Sequence, residues 1–185
     1  MMSNLIRLAA APLAALALAA CTPGDDAAPS AAAPEAASAT LVAGLKAGAG
    51  LDGLESLVAA AGLEPALEGV GPYTVFAPTD AAFGASGPGD LAREENRAPA
   101  AALIRAHIVP GALTRKDILA AIDANPTGKV EMRTMAEGLL SFSRDGETVV
   151  VTAPDGATAR LTGEQTLAEN GVIQPIDGLL VKAGA

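Results

Sequence analysis

Residues 71–83 read Gly-Pro-Tyr-Thr-Val-Phe-Ala-Pro-Thr-Asp-Ala-Ala-Phe, and their reading sets the fold. Residues 73–77 are a short apolar run of strong β formers held between Pro72 and Pro78, which predicts a buried strand. Thr79 or Asp80 then offers a side-chain oxygen to the free amides of a short helix carrying Ala81, Ala82 and Phe83. Residues 84–89 are expected to form a loop.

Upstream of this stretch the pattern is helical. Asp52-Gly53-Leu54-Glu55 fits an N-cap followed three residues later by an acid. Leu54, Leu57, Val58 and Ala61 follow at helical spacing, Gly62 supplies a stop, and residues 64–67 allow one more turn. Downstream, residues 99–107 read as a helix with Pro99 in its first turn and Ala102, Leu103 and Ala106 on one face. It runs into a brief strand at Ile108-Val109, closed by Pro110-Gly111. Thr114 and Asp117 cap a further helix through Ala124, stopped by Asn125-Pro126.

The last third is β in character. Segments near 129–135, 139–143, 147–152 and 158–162 are strand-like, separated by Glu137-Gly138, Asp145-Gly146 and Asp155-Gly156, dipeptides suited to hairpins. Asn170-Gly171 introduces Val172-Ile173, and Gly178 precedes Leu179-Leu180-Val181. Helices come first and a meander follows, so the class is α+β.

Three stretches together resemble the fasciclin domain: residues 71–83, residues 103–111 (LIRAHIVPG) and residues 170–180 (NGVIQPIDGLL). The resemblance covers about 140 residues, one domain's worth. It implies a fold of helices packed against a wedge of two β-sheets over residues 40–183. It further implies a role in adhesion or extracellular recognition, and no enzymatic activity. The matching blocks contain Thr79, Asp80, Phe83, His107, Asn170, Gly171 and Asp177 as structural positions. Departures narrow the inference. Ala106 stands where family members often have Tyr, and Gln174 where they often have His. Pro175 lacks a ladder donor, so its strand is expected at a sheet edge or locally irregular. Gln165 and Thr166 occupy the positions of an Asp-Ile pair linked to integrin binding in animal members, so integrin recognition does not carry over.

The amino-terminal segment carries a separate message. Residues 1–7 end in Arg7, and residues 8–20 are an apolar run broken only by Pro12. That run is too short for a bilayer-spanning helix and suits the apolar region of a signal peptide. Leu18-Ala19-Ala20-Cys21 resembles the lipobox of bacterial lipoproteins, in which the Cys sulfur receives the diacylglycerol. Residues 1–20 are therefore expected to be removed and Cys21 to be lipidated, anchoring the chain to a membrane. Thr22 stands where an Asp would suggest retention at the inner membrane, which favours the outer membrane or cell surface. Residues 22–39, TPGDDAAPSAAAPEAASA, hold no Leu, Ile, Val or aromatic residue, and Pro23, Pro29 and Pro34 interrupt any helix. Such a stretch cannot offset its ordering entropy and reads as a disordered tether.

Composition excludes several functions. The formal charge is −9, and removing residues 1–20 takes away only Arg7, making the balance one unit more negative. With no basic run, nucleic acid is not an expected partner. One Cys and one His permit neither an internal disulfide nor a Cys/His metal cluster, and no cofactor motif is present. His107 is the one side chain with an ordinary pKa suited to acid–base work near neutrality, but no nucleophile elbow accompanies it. A buried, hydrogen-bonded imidazole is the simpler reading. Helix capping explains Thr79 and Asp80, a turn explains Asp177, and Glu94 and Glu95 read as solvated acids. The sequence thus favours a membrane-anchored binding or adhesion module whose ligand is a matrix, polysaccharide or cell-surface component. The competing reading is a lipid-anchored small-ligand carrier or hydrolase, which requires an apolar pocket with polar groups near His107.

Overall fold

The computed structural model describes residues 39–86 and 91–182. The signal segment, Cys21, the tether through residue 38, residues 87–89 of the expected loop and residue 183 lie outside the described residues.

The centre of the fold is strand β1 (Tyr73–Pro78). It pairs in parallel with β8 (Gly171–Ile176) over six residues, from Tyr73 opposite Gly171 to Pro78 opposite Ile176. On its other side it pairs antiparallel with β2 (Ile108–Pro110), while β7 (Thr166–Ala168) pairs antiparallel with β8. The order of this mixed sheet is β2-β1-β8-β7. Both faces of β1 are buried, which is why its sequence is largely apolar and does not alternate. Val75 and Ala77 enter one core, Phe76 the other.

The first core lies under the helices. It gathers α1 (Leu41–Ala47), α2 (Asp52–Ala61), α3 (Glu64–Leu67), α4 (Asp80–Ser86) and α5 (Arg97–Ala106) against Val75, Ala77, Ile108 and Ile173. Leu54, Leu57, Val58 and Ala61 form the buried stripe of α2, at the spacing an amphipathic helix requires. The second core lies between the mixed sheet and an antiparallel meander. The meander runs β3 (Lys129–Arg133), β4 (Leu139–Asp145), β5 (Thr148–Thr152) and β6 (Thr158–Arg160), with Ile118 and Ile122 of α6 (Arg115–Ala124) closing it. Phe76 and Phe142 meet across the two sheets with ring centroids 5.2 Å apart, tilted by 43°. Backbone bonds tie the sheets at two places: Met135 N–H donates to Ile108 C=O at 2.8 Å, and Asp177 N–H to Arg160 C=O at 3.1 Å. Both cores are enclosed by residues 41–180, so this stretch carries what a domain needs to fold alone.

The architecture is the expected α+β fold with two sheets, but several local expectations are corrected. Asp52 does not cap α2. Leu51 holds the N-cap position without a side-chain bond, and Asp52 is the first helical residue. Residues 84–86 are helical, because α4 continues through Ser86. In α5 the buried residues are Ala100 and Ile104, whereas Ala102 is exposed and Leu103 and Ala106 are half-buried. The helix begins two residues before Pro99, and Ala100 and Ile104, four residues apart, face the core. Pro175 is not on an edge strand, since β8 lies between β1 and β7. The Pro175 carbonyl accepts from Thr162 N–H at 2.8 Å, so its missing donor points away from β1. On that side β7 has already ended opposite Ile173. The ladder with β1 loses nothing.

At Gly171 a Cβ would collide with the Tyr73 carbonyl oxygen of the paired strand. Gly171→Ala is therefore expected to cost about 3 kcal/mol by forcing the β1–β8 pair apart. Gly84 has open space around it within α4, and Gly84→Ala is expected to leave stability unchanged or raise it by up to about 1 kcal/mol. Urea unfolding of both variants measures the contrast.

Candidate functional site

The motif residues of the sequence fall into four separate places, and at each a side chain secures backbone from a distant part of the chain. Thr79 and Asp80 sit where β1 turns into α4. Thr79 Oγ1 accepts from Ala82 N–H at 3.4 Å, while the Asp80 carboxylate accepts from Gly53 N–H at 2.8 Å. Gly53 is the second residue of α2, so Asp80 serves as the N-terminal cap that Leu51 cannot provide. Asp80 N–H also donates to Gly50 C=O at 2.8 Å, and Phe83 packs into the helical core. The block that ends β1 thus fastens the start of α2.

Asn170 is buried at the entrance to β8. Its Oδ1 accepts from Leu41 N–H at 2.9 Å, and its Nδ2 donates to the carbonyls of Leu67 at 2.7 Å and Gly69 at 2.9 Å. One amide side chain joins α1, the end of α3 and β8. Gly171 follows because β1 passes too close for any side chain. Asp177, at the far end of β8, accepts from Arg160 N–H at 2.6 Å and so fastens β6 to the mixed sheet.

His107 is 1% exposed at the junction of α5 and β2. Its Nε2 accepts from Leu180 N–H at 2.9 Å, which leaves Nδ1 to carry the proton and donate to Leu103 C=O at 2.8 Å. Burial pushes its pKa down to about 4, opposed in part by the Leu103 bond. Both ring nitrogens are committed to backbone, so the imidazole has no lone pair or proton free for a substrate. A cavity of about 230 Å³ opens nearby, walled in part by Ala106 and Leu180, but His107 is not in its lining.

A further polar cluster went unread in the sequence. Gln165 Oε1 accepts from Arg115 N–H at 2.7 Å and from Gln174 Nε2 at 3.0 Å. Gln174 Nε2 also donates to Leu113 C=O at 3.1 Å, and the Arg115 guanidinium reaches Thr162 C=O at 3.0 Å. Thr74, fully buried on β1, donates to Gly111 C=O at 2.6 Å and accepts from Leu113 N–H at 2.8 Å. Gln165 and Gln174, two of the positions that depart from the family pattern, therefore bond to each other and hold the start of α6. Glu94 and Glu95 lie exposed in a single 3₁₀ turn before α5. Among the described residues no group of three or more His, Cys, Asp or Glu side chains is placed to hold a metal ion.

Comparison with known proteins agrees with this geometry. The fasciclin domain profile matches residues 49–182. The protein sll1483 of Synechocystis sp. is 32% identical over 132 residues, covering 69% of this chain and 65% of its own. The uncharacterized protein sll1735 of the same organism is 31% identical over 131 residues, covering 69% of this chain and 86% of its own. The chain thus spans just under two thirds of the first relative's length. Its fold is similar to a FAS1 domain pair from the insect cell adhesion molecule Fasciclin I, with a TM-score of 0.67 at 16% identity. That match covers 79% of this chain and 52% of the other. The chain belongs to the fasciclin domain family.

Two measurements test the fastenings. Asn170→Ala removes three bonds to buried or half-buried backbone and is expected to cost about 3 kcal/mol in denaturant unfolding. His107 makes stability depend on pH. Its folded pKa lies below the unfolded value, so the unfolded chain binds the extra proton. The His107 contribution is complete above pH 6.5 and falls as pH drops toward about 4, by about 3 kcal/mol. His107→Leu is expected to be less stable at pH 7, with Leu180 N–H left unpaired, and to lose most of the pH dependence in that window.

Proposed function

We propose that the chain is a lipid-anchored, extracytoplasmic binding or adhesion module built on its fasciclin domain. The observation that carries this reading is Leu18-Ala19-Ala20-Cys21, a lipobox at the end of a signal-like apolar run, ahead of a single fasciclin domain. Two or three acyl chains on Cys21 hold a protein to a membrane far more firmly than one. Residues 22–38 are assigned here as the spacer; Ala39, expected to belong to it, is instead fastened to the domain, its C=O accepting from Glu169 N–H at 2.9 Å. Among the described residues no helix is long and apolar enough to cross a membrane.

The domain is read as a binder and not a catalyst. Its one His is sealed between two backbone groups, and the motif acids Asp80 and Asp177 each accept a backbone amide. A hydrolase centred on His107 lacks both an accessible base and a nucleophile beside it. The similarity to an insect cell adhesion molecule supports recognition at a surface, and the strongly acidic charge favours partners other than nucleic acid. The ligand class proposed is a matrix, polysaccharide or cell-surface component. The envelope is the assigned location, with the outer membrane or cell surface favoured by Thr22.

Metabolic labelling with radioactive palmitate in the native host tests the anchor. The wild-type chain is expected to take up label and partition into detergent, while Cys21→Ser stays unlabelled and aqueous. Equal labelling of both removes the anchor from the proposal. Saturable binding of the domain to envelope or matrix preparations, lost on unfolding, tests the recognition part.

A further inference from the structure

The cavity of about 230 Å³ beside the α5–β2 junction is built from four separate segments. Ala106 ends α5, Thr134 and Leu140 flank the β3–β4 hairpin loop, Pro154 and Asp155 stand in the β5–β6 turn, and Leu180 belongs to the carboxyl-terminal segment. Its walls are mainly apolar. The volume admits roughly seven or eight water-sized heavy atoms.

One wall is charged. Asp155 Oδ1 accepts from Ala157 N–H at 2.8 Å and Oδ2 from Lys182 N–H at 2.7 Å. A carboxylate has about four acceptor positions, so each oxygen keeps capacity for another donor. Burial raises the Asp155 pKa, but the two amide bonds and the nearby Lys182 charge outweigh it and hold the group below its ordinary value. The Lys182 side chain lies against Gly156. Thr134 adds a hydroxyl whose oxygen accepts from Ala136 N–H at 3.2 Å.

The apolar surface also extends beyond the cavity. Val70, Met135 and Leu139 are the exposed large hydrophobic residues among those described, and two of the three sit on this hairpin. A free small amine would need only the cavity. A polypeptide would use the apolar surroundings as well.

We infer that this pocket receives a lysine side chain presented by a partner polypeptide. The four-carbon stem lies against Ala106, Leu140, Pro154 and Leu180, and the ammonium donates to Asp155. The acidic surface of the chain favours the approach of such a partner. The inference rests on the reading of the domain as a binding module and is independent of the lipid.

The test uses residues 39–185, which enclose both cores, and follows backbone amide shifts by NMR. The probes are acetyl-Leu-Lys-Leu-amide, the same peptide with Nε-acetyl-lysine, and pentylammonium. Saturable shifts at Thr134, Gly138, Ala157 and Lys182 are expected with the lysine peptide, and binding about fivefold weaker with the acetylated one, the scale of an exposed charge pair. Ala136→Phe, which fills the mouth from an exposed loop position, is expected to abolish the shifts without unfolding the domain. Asp155→Asn is expected to remove the preference for the charged peptide. Equal binding of the two peptides, or no saturable shift at millimolar concentration, overturns the inference. So does pentylammonium binding as tightly as the peptide, which would assign the pocket to free amines. Failure here leaves the surface-binding reading open to the envelope assay, and failure of palmitate labelling leaves this pocket untouched.

Discussion

Between β1 and β8 a parallel ladder runs from Tyr73 opposite Gly171 to Pro78 opposite Ile176, and such a ladder is rarely found with either face in water. One face is covered by helices α1 to α5, the other by the meander β3 to β6 with α6. The two cores follow from that requirement. Their side chains are mostly Leu, Ile, Val and Ala, and the Phe76–Phe142 contact is the aromatic pair that bridges the sheets. Close approach of the paired backbones explains Gly171, and the place where β7 ends explains how Pro175 is accommodated in an interior strand.

The polar motif residues complete the same design. Asp80, Asn170 and Asp177 each bond to backbone at the end of a different element, and His107 to the segment that follows β8, across sequence separations of 17 to 129 residues. Backbone groups at helix and strand ends need partners once buried, and a side chain from a neighbouring element is an economical source. These four residues therefore act as fasteners between elements. Their hydrogen-bonding capacity at these contacts is spent on the fold.

Much of this was legible locally. The capping box of Thr114 and Asp117, the left-handed stop at Gly62 with φ 68°, and the apolar run of β1 are signals carried by a few adjacent residues. The misread points depended on distant chain. Asp52 has the right spacing for a cap, yet Asp80, 27 residues beyond Gly53, reaches the α2 amide first. The stripe of α5 was misplaced because Ala is abundant and marks no face, and only packing against α2 picks out Ala100 and Ile104. Pro175 argued for an edge strand or a local irregularity, because the side to which its nitrogen points is not written in the sequence; β8 is an interior strand, and β7 stops pairing with it at Ile173. The pairing of Gln165 with Gln174 replaced two expected family residues at once, and only tertiary contact joins them.

The ladder that organises the domain also sets when it can fold. β8 lies about 100 residues after β1, so the central sheet cannot close until almost the whole domain is available. Loop-closure entropy over that span slows folding relative to a helical bundle of similar size. Helices α1 to α3 lack the completed sheet they pack against until β8 is in place. The native state therefore stays out of reach until the last strand of the central sheet is available.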